Sequence, residues 1–158
     1  MNRCRGVRAL AGVLIAAGAS AAGAATCSVE SAGLAFGQYN PFSSQPNDSV
    51  GTISVACSGA AGTNVAYLIR IGPGSSGTLV TRTMRTSSGW ALGYNLYTDP
   101  ARSLVWGDGT GGTRAIGDAL TLGGISQVRR HPVYGRTTER QNVPPGFYVD
   151  TLILTVEF

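Results

Sequence analysis

A single histidine serves the whole chain. His131 stands directly before Pro132, and no Gly-x-Ser-x-Gly elbow accompanies it, so a Ser/His/Asp triad would have to be built around this one ring. A paired-carboxylate hydrolase could draw on two of Asp99, Asp108, Asp118 and Asp150. Three of these acids lie beside Gly or Pro, or within two residues of one, and read more simply as turn residues. Residues 107–112 hold one copy of a glycine–aspartate pattern that binds calcium only in repeated arrays. Residues 72–77 lack the Gly-Lys-Ser/Thr ending of a phosphate loop. Asn47-Asp48-Ser49 matches a glycosylation sequon, which carries little weight alone. The chemistry-bearing residues point away from catalysis, and no cofactor or metal is expected.

The cysteines carry more information. Cys4 falls in an N-terminal segment that has the layout of a secretory leader: basic residues Arg3, Arg5 and Arg8, an apolar run over residues 9–19, and small residues over 20–25. The apolar run is too short for a membrane span, which takes roughly 20 residues. A lipoprotein reading fails because no Leu stands three positions before Cys27 and Thr26 occupies the place of a small residue. Cleavage after Ala24 or Ala25 leaves Cys27 and Cys57, an even pair in an oxidising compartment, hence one disulfide. Closing a loop of that length contributes roughly 3–4 kcal/mol in the chain-entropy model. Two cysteines and one histidine fall short of a four-ligand zinc site.

Removing residues 1–25 also changes the charge. Three of the twelve basic residues leave with the leader while all eight acids stay, so the processed chain carries about +1 instead of +4. There is no Lys, and no basic cluster of the kind that nucleic acid requires. Residues 26–158 suffice for a single domain with one core. Abundant Gly, Ser and Thr, sparse charge and no sustained helical period indicate an all-β class.

Alternation of apolar and polar residues supplies the elements. Residues 50–57 (VGTISVAC) put Ile53, Val55 and Cys57 on one face and Val50, Thr52, Ser54 and Ala56 on the other. Residues 65–71 (VAYLIRI) form a second strand, ended by the breaker run 72–77. Residues 79–84 alternate weakly. Residues 90–97 (WALGYNLY) place Leu92, Tyr94 and Leu96 together. A short strand over 104–106 precedes the glycine-dense loop 107–112. A further strand over 125–134 is interrupted or edged by Pro132. Trp90, Trp106, Tyr94 and Tyr97 could make a sugar-binding or adhesive surface, although the strand pattern favours a core place for Tyr94. If ligands are held at loops, 73–78 and 107–112 are the candidates.

The last strand, read over residues 147–158 (FYVDTLILTVEF), matters most. Leu152, Leu154, Val156 and Phe158 share one face, and Val149, Ile153 and Thr155 the other. So apolar a strand belongs inside a sheet, yet no later strand covers it, and a bare edge of this kind aggregates unless something pairs with it. Either an earlier strand of the same chain covers it or a partner supplies one. Pattern alone favours the earlier strand.

Six segments, in order and with the cysteines in place, resemble the spore coat protein U domain of subunits in archaic, Csu-type chaperone–usher pili. They are Cys27-Ser28-Val29 followed by Leu34-Ala35-Phe36-Gly37-Gln38-Tyr39; Gly51-Thr52-Ile53-Ser54-Val55-Ala56-Cys57; Leu92-Gly93-Tyr94-Asn95-Leu96-Tyr97; Val105-Trp106-Gly107-Asp108-Gly109; Val133-Tyr134-Gly135-Arg136; and Pro145-Gly146-Phe147-Tyr148-Val149-Asp150. The resemblance implies an immunoglobulin-like β-sandwich that lacks its final strand. A periplasmic chaperone would fill the gap, and at an outer-membrane usher a neighbouring pilus or coat subunit would replace it by strand addition. It reverses the preference drawn from pattern and makes Leu152, Leu154, Val156 and Phe158 the border of the acceptor groove. The implied place is a pilus or coat at the cell surface, reached through the periplasm, with a surface or glycan ligand as a further partner. Subunits of a fibre's shaft carry a donor extension ahead of the first cysteine. Here the expected cleavage falls almost at Cys27, which indicates a tip or coat role. The alternative is a self-complete extracellular sandwich with a lectin-like or coat function.

Overall fold

A computed structural model describes residues 24–158; the expected leader lies outside them apart from Ala24 and Ala25. The elements are β1 (Thr26–Ala32), β2 (Asn47–Ser58), β3 (Asn64–Ile71), a 3-10 turn (Gly74–Ser76), β4 (Arg82–Arg85), β5 (Ala91–Tyr97), β6 (Ile116–Thr121), β7 (Gln127–Thr137) and β8 (Leu154–Glu157). They form a five-stranded sheet in the order β1-β2-β7-β5-β4 and a three-stranded sheet in the order β6-β3-β8, with all pairings antiparallel. The immunoglobulin-like sandwich is the architecture.

The strands with strict alternation fold as read. Ile53, Val55 and Cys57 of β2 and Leu92, Tyr94 and Leu96 of β5 are buried, while Val50 faces solvent. Cys27 lies directly opposite Cys57 in the β1–β2 register and is bonded to it, which ties the first strand to the sheet. Burying apolar surface at about 25 cal/mol per Å2 makes these inward rows the chief stabilising term.

Several boundaries differ from the sequence reading. β7 runs unbroken through Pro132, because β5 pairs with it only at Tyr134–Thr137 and leaves Pro132 a neighbouring strand on one side alone. Ile125 is outside the strand and exposed. Residues 104–106 make only isolated bridges, Val105 to Tyr97 and Trp106 to Arg114. β1 and β6 alternate only briefly, with Cys27 and Val29 inward on the first and Ile116 and Leu120 on the second, and the sequence reading assigns no strand to either. The largest change is at the C-terminus, where only Leu154–Glu157 of the expected 147–158 strand pairs with a neighbour in a ladder. Val149 bridges Arg85 of β4, whereas Leu154 pairs with Ile71 of β3, so the intervening residues carry the chain from one sheet to the other. A chain changing sheets cannot keep one ladder.

Sequence alternation also failed at β4, whose inward residues are Met84 and a charged one, Arg82. The Arg82 guanidinium is fully buried and donates to Asn95 Oδ1 (2.6 Å) and to the carbonyls of Ile71 (3.1 Å), Gly72 (3.0 Å) and Trp106 (2.8 Å). Its planar fork thus joins the end of β3, β5 and the Trp106 segment from a single residue. Burial holds its pKa below the ordinary arginine value, opposed by Tyr94, Asp150 and Asp108 nearby.

Glycine is required at Gly135 by a close approach. A Cβ there would come within 2.5 Å of Leu34 Cδ2 and 2.8 Å of Phe36 Cζ. After β1 the chain crosses inside the sandwich mouth, and Leu34 and Phe36 pack over this bare backbone. Ser49 Oγ donates to the Ala35 carbonyl (2.9 Å) and Asn47 Nδ2 to those of Phe36 (3.2 Å) and Gln38 (2.8 Å), which fixes the crossing. Gly135→Ala is expected to lower stability by about 1–3 kcal/mol through overpacking, read from the urea midpoint; an unchanged midpoint would mean that the crossing yields freely.

Candidate functional site

The two sheets do not close on each other along their whole length. An open gap of about 430 Å3 separates the end of β1 and residues 33–36 on one side from residues 148–154 on the other. Ile53, Ile71, Leu96 and Val133 form its floor, and Leu34, Leu152 and Leu154 its walls. β8 pairs with β3 alone; among the described residues no strand lies on its other side. The Gly72 N–H donates to the Ile153 carbonyl at 2.9 Å. Alternation along an antiparallel strand then turns the main-chain groups of Leu154 and Val156 toward the free edge. Unpaired backbone donors and acceptors beside an apolar gap are what an added strand binds.

The expected border residues fall as follows. Leu152 and Leu154 line the gap, and Leu152, Leu154 and Val156 face inward, half-buried against the core. Phe158 is mostly exposed, with its ring 6.0 Å from that of Tyr67 at the far end of β8. Ile153 and Val149, expected on the opposite face, are exposed. Sequence reasoning missed the facing wall. Leu34 and Phe36 stand on an irregular segment with too short an alternation to read as a strand; the signals that could have found them are their place in the resemblance and the bare glycines beneath, Gly51 and Gly135.

Residues 148–154 are anchored at Asp150 where they cross. Asp150 accepts from Tyr94 OH (2.7 Å) and from the Ser75 N–H (2.9 Å), pinning the crossing to β5 and to the turn after β3. Burial, then the bond to Asp150, raises the Tyr94 pKa well above the usual phenol value, so the hydroxyl stays a donor. A second groove of about 880 Å3 shares Leu34, Phe36, Met84 and Tyr148 with the gap and is lined further by residues 142–147.

The other chemical candidates disperse. Asp99 accepts from the N–H groups of Ser103 and Leu104, and Asp108 from Thr110, so both order turns. Asp118 sits on β6 instead of in a turn. Of the four aromatics considered for adhesion, Trp106 and Tyr94 are core residues, with Trp106 Nε1 donating to the Ile69 carbonyl (3.3 Å), whereas Trp90 is exposed. They do not form one platform.

His131 is buried, with Nε2 2.9 Å from Tyr67 OH and 3.8 Å from Asp118, where it links the two sheets. Burial lowers its pKa from the ordinary 6.5; Asp118 opposes this and Arg129 adds to it. In the tautomer with its proton on Nδ1 the neutral ring accepts the Tyr67 O–H, and protonation removes that acceptor. With the folded value below the unfolded one, the stabilisation is complete above pH 6.5 and is lost as pH falls through the folded value. The urea midpoint should therefore drop in that window, and His131→Gln should flatten the drop; an unaltered profile would contradict this role.

The sequence profile of the Spore Coat Protein U domain matches residues 14–155. The chain belongs to the Spore Coat Protein U domain family. Protein U of Myxococcus xanthus is 33% identical to this spore coat U chain over 133 residues, spanning 79% of it and 71% of the relative. A solved structure of similar fold is the chaperone–tip adhesion subunit pre-assembly complex from the archaic chaperone–usher Csu pili of Acinetobacter baumannii. The match has a TM-score of 0.57 at 19% identity and covers 85% of this chain and 40% of the matched one. At that identity the likeness is one of fold.

Proposed function

We propose that this spore coat U domain is a non-catalytic structural and adhesive subunit of a chaperone–usher pilus or surface coat, completed by a strand from another polypeptide. In the periplasm a chaperone lends that strand to the free edge of β8. At an outer-membrane usher, the strand of a neighbouring subunit replaces it. Leu152, Leu154, Val156 and Phe158 form the border of the acceptor groove. The single observation that carries the reading is the unpaired edge of β8 beside an apolar gap of about 430 Å3. A donor that buries three or four apolar side chains there gains roughly 5–10 kcal/mol before the costs of association. Membership of the family and the fold shared with a chaperone–tip adhesion complex support it.

The experiment is periplasmic expression of the chain with and without its cognate chaperone, followed by comparison of soluble yield and melting. Dependence of both on the chaperone is expected. Equal, cooperative folding without it would favour the second reading, a self-complete sandwich with a lectin-like or coat function, in which Leu34 and Phe36 fill the mouth sufficiently. N-terminal sequencing of the exported protein addresses its place in an assembly. A start at Ala25 or Thr26 would leave no donor ahead of β1, consistent with a tip or coat position; a longer start would allow a shaft role.

A further inference from the structure

Methionine occurs at Met1 and Met84, and only Met84 lies within the described residues. It stands on β4 opposite Leu92 and lines both the 430 Å3 gap and the 880 Å3 groove, at the point where the two meet. At 9% it is the most exposed of the buried core residues. A thioether in a core is ordinarily shielded from solutes; this one has openings on two sides. The cross-strand disulfide is characteristic of chains that mature under oxidising conditions.

We propose that Met84 is an oxidation site, reached by peroxide through the open groove, and that its sulfoxide bars the groove to a complementing strand. The second half rests on the function proposed above. In the reaction a sulfur lone pair attacks one oxygen of hydrogen peroxide. The S–O bond forms, the O–O bond breaks, and the departing hydroxide takes the proton of the sulfur-bound hydroxyl, leaving as water and giving the neutral sulfoxide. Sulfur loses two electrons and the peroxide gains them. A pliable apolar side chain thereby becomes polar and bulkier. Of the residues that line both openings with it, Leu34 and Phe36 offer no side-chain hydrogen bond to the new oxygen, and the Tyr148 hydroxyl is already given to the Pro144 carbonyl (2.7 Å). Groove water can solvate it in the open chain, but a strand laid over the gap would displace that water and leave a buried acceptor unpaired. Met84 would thus be oxidised in subunits that wait open and spared in subunits already closed.

The test treats the exported chain with hydrogen peroxide, alone and as the co-purified complex with its chaperone, and follows the gain of one oxygen by the Met84 peptide in mass spectrometry. Oxidation of the open chain should proceed within about tenfold of free methionine. The complex should oxidise at least roughly tenfold more slowly, and the oxidised chain should be captured at least roughly tenfold more weakly than the reduced one. Met84→Leu, a swap of similar volume that cores tolerate, should keep full capture after peroxide treatment. Met84 protected in the open chain as strongly as an enclosed core residue would overturn the oxidation site. Undiminished capture of the oxidised chain would overturn the block. Oxidation equally fast in the open chain and the complex, with the oxidation site intact, would instead count against the donor's proposed location, which keeps the two claims separable.

Discussion

Leu154→Asp is expected to abolish capture of the chain by the proposed chaperone. Leu154 faces inward on β8, lines the gap and is half-buried against the core. A donor strand would cover it from the free edge, so the carboxylate would be either buried without a partner or forced to take up a proton. Either route costs several kcal/mol and corresponds to a loss of at least roughly a hundredfold in affinity. The same substitution at Ile153 is the control, because that side chain is 75% exposed on the opposite face. Ile153→Asp should co-purify with chaperone as the parent does. Circular dichroism and formation of the Cys27–Cys57 bond establish that both variants fold, and Leu154→Ala should give an intermediate loss. Unchanged co-purification of Leu154→Asp would remove the groove assignment.

Arg82→Met lowers stability by about 3–5 kcal/mol. Methionine matches the aliphatic stem of arginine but makes none of the four hydrogen bonds that Arg82 gives to Asn95, Ile71, Gly72 and Trp106. The carbonyl oxygens of Ile71, Gly72 and Trp106 would stay buried without this donor, while Asn95 Oδ1 would keep the Leu96 N–H (2.9 Å); each such loss costs about 1–3 kcal/mol, with partial relaxation. Arg82→Lys should lose nearly as much, since one ammonium cannot reproduce the planar fork. Arg130→Met, at an exposed position of β7, should stay within about 0.5 kcal/mol. Urea unfolding of the purified proteins measures all three. A loss below about 1 kcal/mol for Arg82→Met would mean that water or neighbouring groups replace the guanidinium.

The contrast between Leu154 and Arg82 also marks how far residue order reaches. Strict alternation made β2, β5 and the inward row of β8 legible, because a period of two leaves one solution when one face must be buried. The same period puts Leu152, Leu154, Val156 and Phe158 on one face, of which the first three lie half-buried against the core; that this face borders a groove came from the resemblance and not from the period. It overextended the last strand, since alternation persists through residues 149–153 while the chain crosses between sheets, and a sequence pattern does not record which neighbour a strand pairs with. β1 was hidden because its inward apolar row is only Cys27 and Val29 before Ser31 ends it, and its attachment comes from a disulfide and a full ladder to β2. β6 was hidden because Gly117, Asp118 and Ala119 are poor strand formers held by pairing with β3. Arg82 escaped for the opposite reason: an inward charge contradicts binary patterning, and only tertiary acceptors make it tolerable. Leu34 and Phe36 form the second wall of the gap from a segment whose alternation, two residues long and flanked by Gly33 and Gly37, is too short to read as a strand.

The free edge of β8 is most directly tested by amide hydrogen exchange at Leu154 and Val156, resolved by NMR, in the chain alone and in its chaperone complex. In the chain alone these two amides should exchange quickly while those of Ile69 and Val55 are slow, and in the complex they should slow by at least roughly a hundredfold, as hydrogen-bonded strand amides do. Slow exchange at Leu154 and Val156 in the isolated chain, unaltered by the chaperone, would contradict the account, because the edge would then be closed from within the molecule.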